Sequence, residues 1–558
     1  MILCFFASSV FAEPPGATPG AQAERFQQDS LQKKKLLEKK AVKAPQVEIE
    51  QQPAQPQAAG IKFTLKGIKV TGMTTFKQEE LRSIYEPYLN KEVSFQDLDK
   101  ITEAIKSKYK AKGYLTTAVF VPEQDIKGGV VEIKVVEGKM GKLSVEGNKW
   151  FSTELLEKYF HVKKNERINV NVLQRDILRL NQNSGLEVKT VISPGKDPET
   201  ADIILKVKDH FPWHAGLGAD NQGTRLSGKY RSSLSLRSSN LTGNLDSLFS
   251  NSLYTGKSFG QSLSYSLPIG TYGTKFNLDM TYFTMRLGKE FKIAEITGNT
   301  QIYTPHVSWE LALTEDYQAN AEIGMDIKSI TKKTGGDTTS NDQLRIPYFG
   351  FNFSKVDSFN GQASFTPRFS FSTSQFLGAS KRNHPTSSRA GTGGFFFKYG
   401  QDVSRIQRMP LDSYMLLRSQ FQVASHTLPS SEQIQFGGAN SVRGYPEGDY
   451  LADWGGNMNL DWVFPMYLIP KDWKLKNSNL ALRHQIEPVF FIDVGGGQLR
   501  KVIPGEQYSK FLAGIGGGLR VRFNSNVSCR FDWAGSIGNK PGSGSGPSTF
   551  YFTFQSEV

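Results

Sequence analysis

Phe550-Tyr551-Phe552-Thr553-Phe554-Gln555, near the end of the chain, alternates without a break between a phenylalanine and a residue with a polar tip. Successive side chains of a strand point to opposite faces, so one face here is wholly aromatic and the other carries hydroxyls and an amide. Soluble sandwiches alternate in the same way, so the number of such segments decides the reading. Working back from residue 550, segments of ten or so residues recur between Gly, Asn, Asp and Ser turns as far as residue 209. Their starts fall near 213, 228, 245, 258, 273, 301, 318, 342, 361, 393, 413, 453, 484, 511, 527 and 549. That makes sixteen, and an even number returns both ends of a closed sheet to one side of the membrane. The connections at 239–244, 268–272, 314–317 and 356–360 are short, and those at 285–300, 372–392 and 426–452 are long. Short turns on one side and long loops on the other are the signature of an all-β membrane barrel. The connection 466–483 breaks the rule, being long where a short turn is expected.

Composition agrees. The 558 residues include 53 Gly, 38 Phe and 20 Tyr, yet mean hydropathy is negative. No run after the N-terminus approaches 18 apolar residues, which excludes membrane helices and leaves a barrel permitted. The formal charge of +14 is carried by dispersed lysines with no recognition element, so no nucleic-acid partner is expected. Of two cysteines, Cys4 lies in a leader and Cys529 stands alone, which leaves no disulfide to form. The seven histidines are scattered, with only His210 and His214 close together, and no metal site is expected. Neither a phosphate-binding glycine loop nor a nucleophile elbow occurs. The reading is a transporter rather than an enzyme, with no cofactor.

The region before the barrel has three parts. Residues 1–12 read as a signal peptide with a clipped start, its apolar run ending Ser9-Val10-Phe11-Ala12. Residues 21–40 read as a polar helix, and 41–60, with Pro45, Pro53 and Pro56 among Gln and Ala, as a flexible linker. Residues 61–139 then follow a β-α-α-β-β order. A strand covers Phe63 to Val70, and one helix lies near 78–88. Ser94 and Asp97 open a second helix as a capping box, and Gly113 closes it. Residues 140–208 repeat the order, an internal duplication stronger than either copy alone.

Several motifs carry a family resemblance. Ser441-Val442-Arg443-Gly444-Tyr445, inside the long connection 426–452, resembles the VRGY motif of the outer-membrane superfamily that inserts and exports proteins. Phe491-Ile492-Asp493-Val494-Gly495 resembles the barrel-wall motif of that superfamily. Lys112-Gly113-Tyr114 with the Val136-Glu137-Gly138 ending resembles the POTRA (polypeptide-transport-associated) domain of two-partner secretion transporters. Trp213 to Gly223, with Asp220-Asn221-Gln222-Gly223, resembles their first barrel strand.

The chain is thus similar to two-partner secretion outer-membrane transporters of the TpsB type, the ShlB/FhaC/HecB-like family. The resemblance implies a 16-stranded outer-membrane β-barrel at 209–558, preceded by two periplasmic POTRA domains at 61–139 and 140–208. It implies that helix 21–40 plugs the lumen and that loop 426–452 folds inward. Asp493 would grip Arg443, with Phe491 and Gly495 framing it, Gly444 allowing a tight turn and Tyr445 packing on the wall beside Val442. A groove and sheet edge on each POTRA domain would take an unfolded client by strand addition. The client would be a large secreted β-helical protein of haemagglutinin, adhesin or haemolysin type, exported without ATP through a monomeric barrel set in outer-membrane lipid. The alternative is an insertion and assembly factor of the same superfamily, which usually carries more POTRA domains. A diffusion porin would lack the POTRA domains and both motifs.

Overall fold

The computed structural model describes residues 14–38, 47–49, 62–126, 128–474, 481–503, 506–523, 526–542 and 546–557. The signal peptide expected at 1–12 lies outside them, as does most of the linker expected at 41–60. The chain forms two compact units: Lys39–Phe211, and Pro212–Val558 together with Met1–Glu38.

In the first unit, Gly67–Thr71, Val130–Val136 and Ala118–Phe120 make a three-stranded sheet with Val130–Val136 in the middle. Helices Gln78–Tyr85 and Phe95–Ala111 pack on it through Leu81, Tyr85, Leu98, Ile101, Ile105 and Tyr109. The strand expected from Phe63 to Val70 is broken in two. Lys62–Thr64 pairs with Glu92–Ser94 as a separate ribbon. The backbone then changes partner, Leu65 bonding to residues 90 and 91 while Lys66 and Gly67 donate to the Gly129 carbonyl. Asp97 accepts from the Ser94 amide at 3.1 Å and the Ser94 hydroxyl at 2.9 Å, as expected of a helix start. Gly113, at φ +90°, follows the helix end in the conformation that glycine adopts most cheaply.

Glu137, the acid of the Val-Glu-Gly ending, is buried at the end of this sheet. It accepts from the amides of Thr74 and Thr75 at 2.9 and 2.8 Å and from the Tyr109 hydroxyl at 2.9 Å. Burial alone would raise its pKa, but the hydrogen bonds from Thr74 and Thr75 hold it down at about 2. A folded pKa below the unfolded one means stability that is present above the unfolded pKa and lost as pH falls through the folded one. Screening by solvent at the end of the sheet reduces the contribution to about 1–2 kcal/mol at neutral pH. Glu137→Gln should therefore weaken hydrogen-exchange protection of residues 62–138 in the intact protein at pH 7. The gap between variant and parent should close as pH falls from about 5 toward 2. A gap independent of pH would refute this role.

The second copy has strand Lys139–Glu146, helices Thr153–Lys158 and Val170–Asn181, and strands Leu186–Pro194 and Thr200–Asp209. Its sheet has the same order, the last strand lying between the first and the middle one. It differs at one edge. Val47–Ile49, from the stretch expected as linker, runs parallel beside Leu186–Pro194.

In the other unit, sixteen antiparallel strands close into a barrel from Trp213–Asp220 to Ser548–Glu557. Phe550 and Phe554 face outward and Tyr551 faces the lumen, 51%, 37% and 4% exposed. Strand starts agree with expectation to within about one turn of chain. The largest shift is at Asp337–Val356, expected from 342, because Gly335 and Gly336, at φ +58° and +91°, turn the chain directly after Thr334. The strands Thr297–Leu313, Tyr317–Thr334 and Asp337–Val356 have 17, 18 and 20 residues, not ten. A tilted strand needs only about 9–11 residues to cross, so these stand clear of the membrane. The long connection near 466–483 joins Trp454–Val463 to Ile486–Gln498, and no strand interrupts it among the described residues.

Candidate functional site

The connection between strands Tyr414–Ala424 and Trp454–Val463 turns inward and is buried along most of its length. Within it Ile434–Phe436 pairs with Tyr450–Ala452 as a short hairpin, and the Val442–Tyr445 stretch lies between the two arms. Gly444 has φ +94°, and a Cβ there would come within 2.9 Å of the Gly535 and Ser536 backbone. The loop therefore touches the bare wall.

Arg443 is fully buried. Its Nε and Nη2 donate to the two carboxylate oxygens of Asp493 at 2.6 and 2.8 Å, and its backbone amide adds a third bond at 3.0 Å. Nη2 also donates to Asp461, and Nη1 faces Asp532 at 3.5 Å as an ion pair without a hydrogen bond. The guanidinium lies 3.4 Å from the centre of the Phe491 ring, a cation–π contact strengthened by desolvation. Arg418, Arg520 and Arg530 reach Asp461 or Asp532 from the lumen side. Four guanidinium groups thus share three carboxylates. A fork of this kind fixes register as well as charge.

The other motif residues serve the same junction. The Tyr445 hydroxyl accepts from the Gly538 amide at 3.1 Å, and the Tyr551 hydroxyl donates to the Tyr445 carbonyl at 3.0 Å. Val442 and Phe436 sit against Gly495, where a Cβ would come within 3.0 and 3.1 Å of their side chains. All seven residues singled out in the sequence meet here.

Sequence reasoning missed Asp461, Asp532 and the three further arginines. It also missed Gly514, Gly516 and Gly518, whose period of two clears the inner face of strand Ser509–Arg522. A Cβ on Gly514 would overlap the Arg443 carbonyl. The signal was present: Asn457, Asn459 and Asp461 alternate with Met458, Leu460 and Trp462.

Helix Pro19–Glu38 lies inside the barrel. It starts two residues before expectation because Thr18 caps it, its hydroxyl accepting from the Ala21 amide, and Pro19 suits the first helical position. Residues 39 and 40 lie outside the described residues. Phe26 packs on Phe283, ring centroids 6.0 Å apart. Ala23 joins the same apolar cluster and Pro19 sits against Gly298. Polar links to the wall run from Asp29 to Arg231 at 3.1 Å, Glu24 to Lys328 at 2.8 Å, and Ser30 to Asn251 at 2.9 Å. The helix also meets the loop, through Arg25 to Glu447 at 3.3 Å and Asp29 to Asn440 at 3.0 Å. Lys328, only 2% exposed, joins all three parts, since it also bonds Glu432 of the loop at 2.6 Å.

Two family models match the chain. The ShlB-type POTRA domain covers residues 63–138, and the haemolysin secretion/activation protein ShlB/FhaC/HecB covers residues 199–521. The heme/hemopexin transporter protein HuxB of Haemophilus influenzae is 25% identical over 411 residues, 71% of each chain. The outer membrane transporter CdiB of Dickeya dadantii is 24% identical over 427 residues, 72% of this chain and 74% of that one. The solved structure of CdiB from Escherichia coli has the same fold, with a TM-score of 0.76 at 20% identity over 97% of this chain and 99% of that one.

Proposed function

The chain belongs to the haemolysin secretion/activation protein ShlB/FhaC/HecB family, and from this membership we propose how it handles its client. It is an outer-membrane transporter of a secreted partner protein, with its POTRA domains in the periplasm. We read the barrel as a single-chain conduit that the client crosses unfolded, without ATP. Folding of the client outside would bury apolar surface and oppose return. A large β-helical client of haemagglutinin, adhesin or haemolysin type fits this economy, because such a fold grows as it emerges.

The observation that carries the reading is the chemistry of the filled lumen. Among the described residues of helix Pro19–Glu38, Phe26 is the only large aromatic or aliphatic side chain fully withdrawn from solvent; the other buried apolar residues are Pro19, Ala21 and Ala23. Leaving the lumen would therefore expose little apolar surface, costing about 2–3 kcal/mol for the phenylalanine. Its polar links can be exchanged for water. The helix acts as a removable plug, and the Arg443 junction holds the loop that shapes the path.

Capture belongs to the first POTRA domain. In the second, Val47–Ile49 already covers the edge beside Leu186–Pro194. The matching edge of the first, Ala118–Phe120, pairs on one side only among the described residues, and Phe120 is exposed. A client strand added there would gain backbone hydrogen bonds. A photoreactive benzoylphenylalanine at Phe120 should cross-link the client in cells, and one at Lys189 should not. Secretion without an adduct at position 120 would refute capture at this edge. The rival reading, an assembly factor, predicts adducts with nascent barrel proteins at the same position instead.

A further inference from the structure

One cavity lies outside the lumen. It is an open groove of about 580 Å³ on the outer face of the barrel, across the strands ending at Ala424, beginning at Trp454, ending at Gln498 and beginning at Ser509. The strand register explains it. Phe421, Gly456, Gly496 and Phe511 are successive cross-strand partners in one outward-facing row. Two glycines between two phenylalanines leave a notch two strands wide, its walls about 14 Å apart at the usual strand spacing. Met458 and Val494, themselves partners, close its lower end, and Trp454 stands at the upper one. The volume is in the range of about 300–1,000 Å³ typical of small-molecule sites.

The place in the membrane follows from topology. These strand ends flank the inward loop, on the side opposite the periplasmic turns, so the groove faces the outer leaflet. Exposed Trp454 and Tyr508 mark the aromatic girdle just above it. Inside a bilayer only hydrocarbon is available to fill such a notch, and an unfilled one forfeits its dispersion contacts. The rim is cationic. Exposed Arg500 donates from Nε to the Ala424 carbonyl at 2.9 Å, which lays its guanidinium across the tops of the walling strands, and exposed Lys501 follows it.

We propose that this groove binds one acyl chain of lipid A, the phosphorylated, acylated glycolipid of the outer leaflet, with a lipid phosphate at Arg500. An apolar slot beneath a guanidinium suits an anionic amphiphile and no neutral one as well. On the inner side of the same strands Gly455, Gly495 and Gly497 stand against Phe436, Val442 and Ala452 of the loop. Only backbone separates the acyl chain from the loop that carries Arg443. The site does not depend on client export, and either could fail while the other stands.

The test uses full-length protein in mild detergent, titrated with hexa-acylated lipid A or with dioleoylphosphatidylglycerol and read by native mass spectrometry. The parent protein should take up lipid A at concentrations where the phosphatidylglycerol adds nothing. Met458→Trp, which extends the lower end into the groove, and Arg500→Gln should each raise the half-saturating lipid A concentration about tenfold, a loss of about 1.4 kcal/mol. Leu234→Trp, at an outward position away from the groove, should leave it unchanged. Heat-modifiability shows which variants are folded, and Arg500→Gln, outside the strands, carries the test if Met458→Trp does not assemble. Unaltered binding in the folded groove variants, an equal loss in Leu234→Trp, or equal uptake of phosphatidylglycerol would overturn the assignment.

Discussion

Replacing Arg443 with alanine should abolish most client secretion while the barrel stays assembled and heat-modifiable. The guanidinium has no solvent exposure and bonds both oxygens of Asp493 as well as Asp461. Removing one partner of a buried charge set costs about 3–5 kcal/mol, because Asp493 is left buried without its fork, while Asp461 and Asp532 keep only the wall arginines. That shifts the docked-to-free ratio of the loop by about two to three and a half powers of ten. The wall is unaffected, since its sixteen strands are held by backbone ladders to which Arg443 contributes nothing. Asp493→Ala should give a similar defect, and the double variant should be little worse than either single one. Asp461→Ala should be milder, because Arg443 keeps its bidentate bond to Asp493. Normal secretion by Arg443→Ala, or additive defects in the double variant, would show that the junction does not hold the path.

Deleting residues 19–38 should raise single-channel conductance several-fold in planar bilayers without loss of the barrel. An α-helix with its side chains is about 10–12 Å across, a large part of the lumen of a sixteen-stranded barrel. The loop remains in place through the Arg443 junction, so the pore should open partly and not to the width of a bare barrel. Combining the deletion with Arg443→Ala should increase conductance further. Unchanged conductance after the deletion would mean that the helix does not obstruct the ion path.

The two motifs around Arg443 and Asp493 were legible in the sequence through their resemblance to the loop and wall motifs of the superfamily, and a charge inside a barrel needs a partner. Strand number and most strand starts were legible because the dyad period leaves each segment no choice of face. Asp461, Asp532 and the arginines around them were not, although each stands at an inward position. Which inward residues meet depends on the stagger of sixteen strands, and alternation does not encode stagger. The same gap hid the contact of Lys328 with Glu24 and Glu432, which lie 304 and 104 positions from it in the chain. The row Phe421–Gly456–Gly496–Phe511 is legible only once register is known, for its glycines look like turn signals. The strand at Val47–Ile49 was hidden by its neighbours, a proline-rich stretch whose composition speaks for a linker.

Export through the barrel requires the client to cross a lumen that the helix has vacated. Ser30 of the helix and Asn251 of the wall are hydrogen-bonded at 2.9 Å. In a background lacking Cys4 and Cys529, the pair Ser30→Cys and Asn251→Cys can be bridged by a short bifunctional methanethiosulfonate and released by reductant. The bridged transporter should secrete almost no client, and reductant should restore secretion to the level of the unbridged protein. Undiminished secretion with the bridge in place would contradict passage through the barrel.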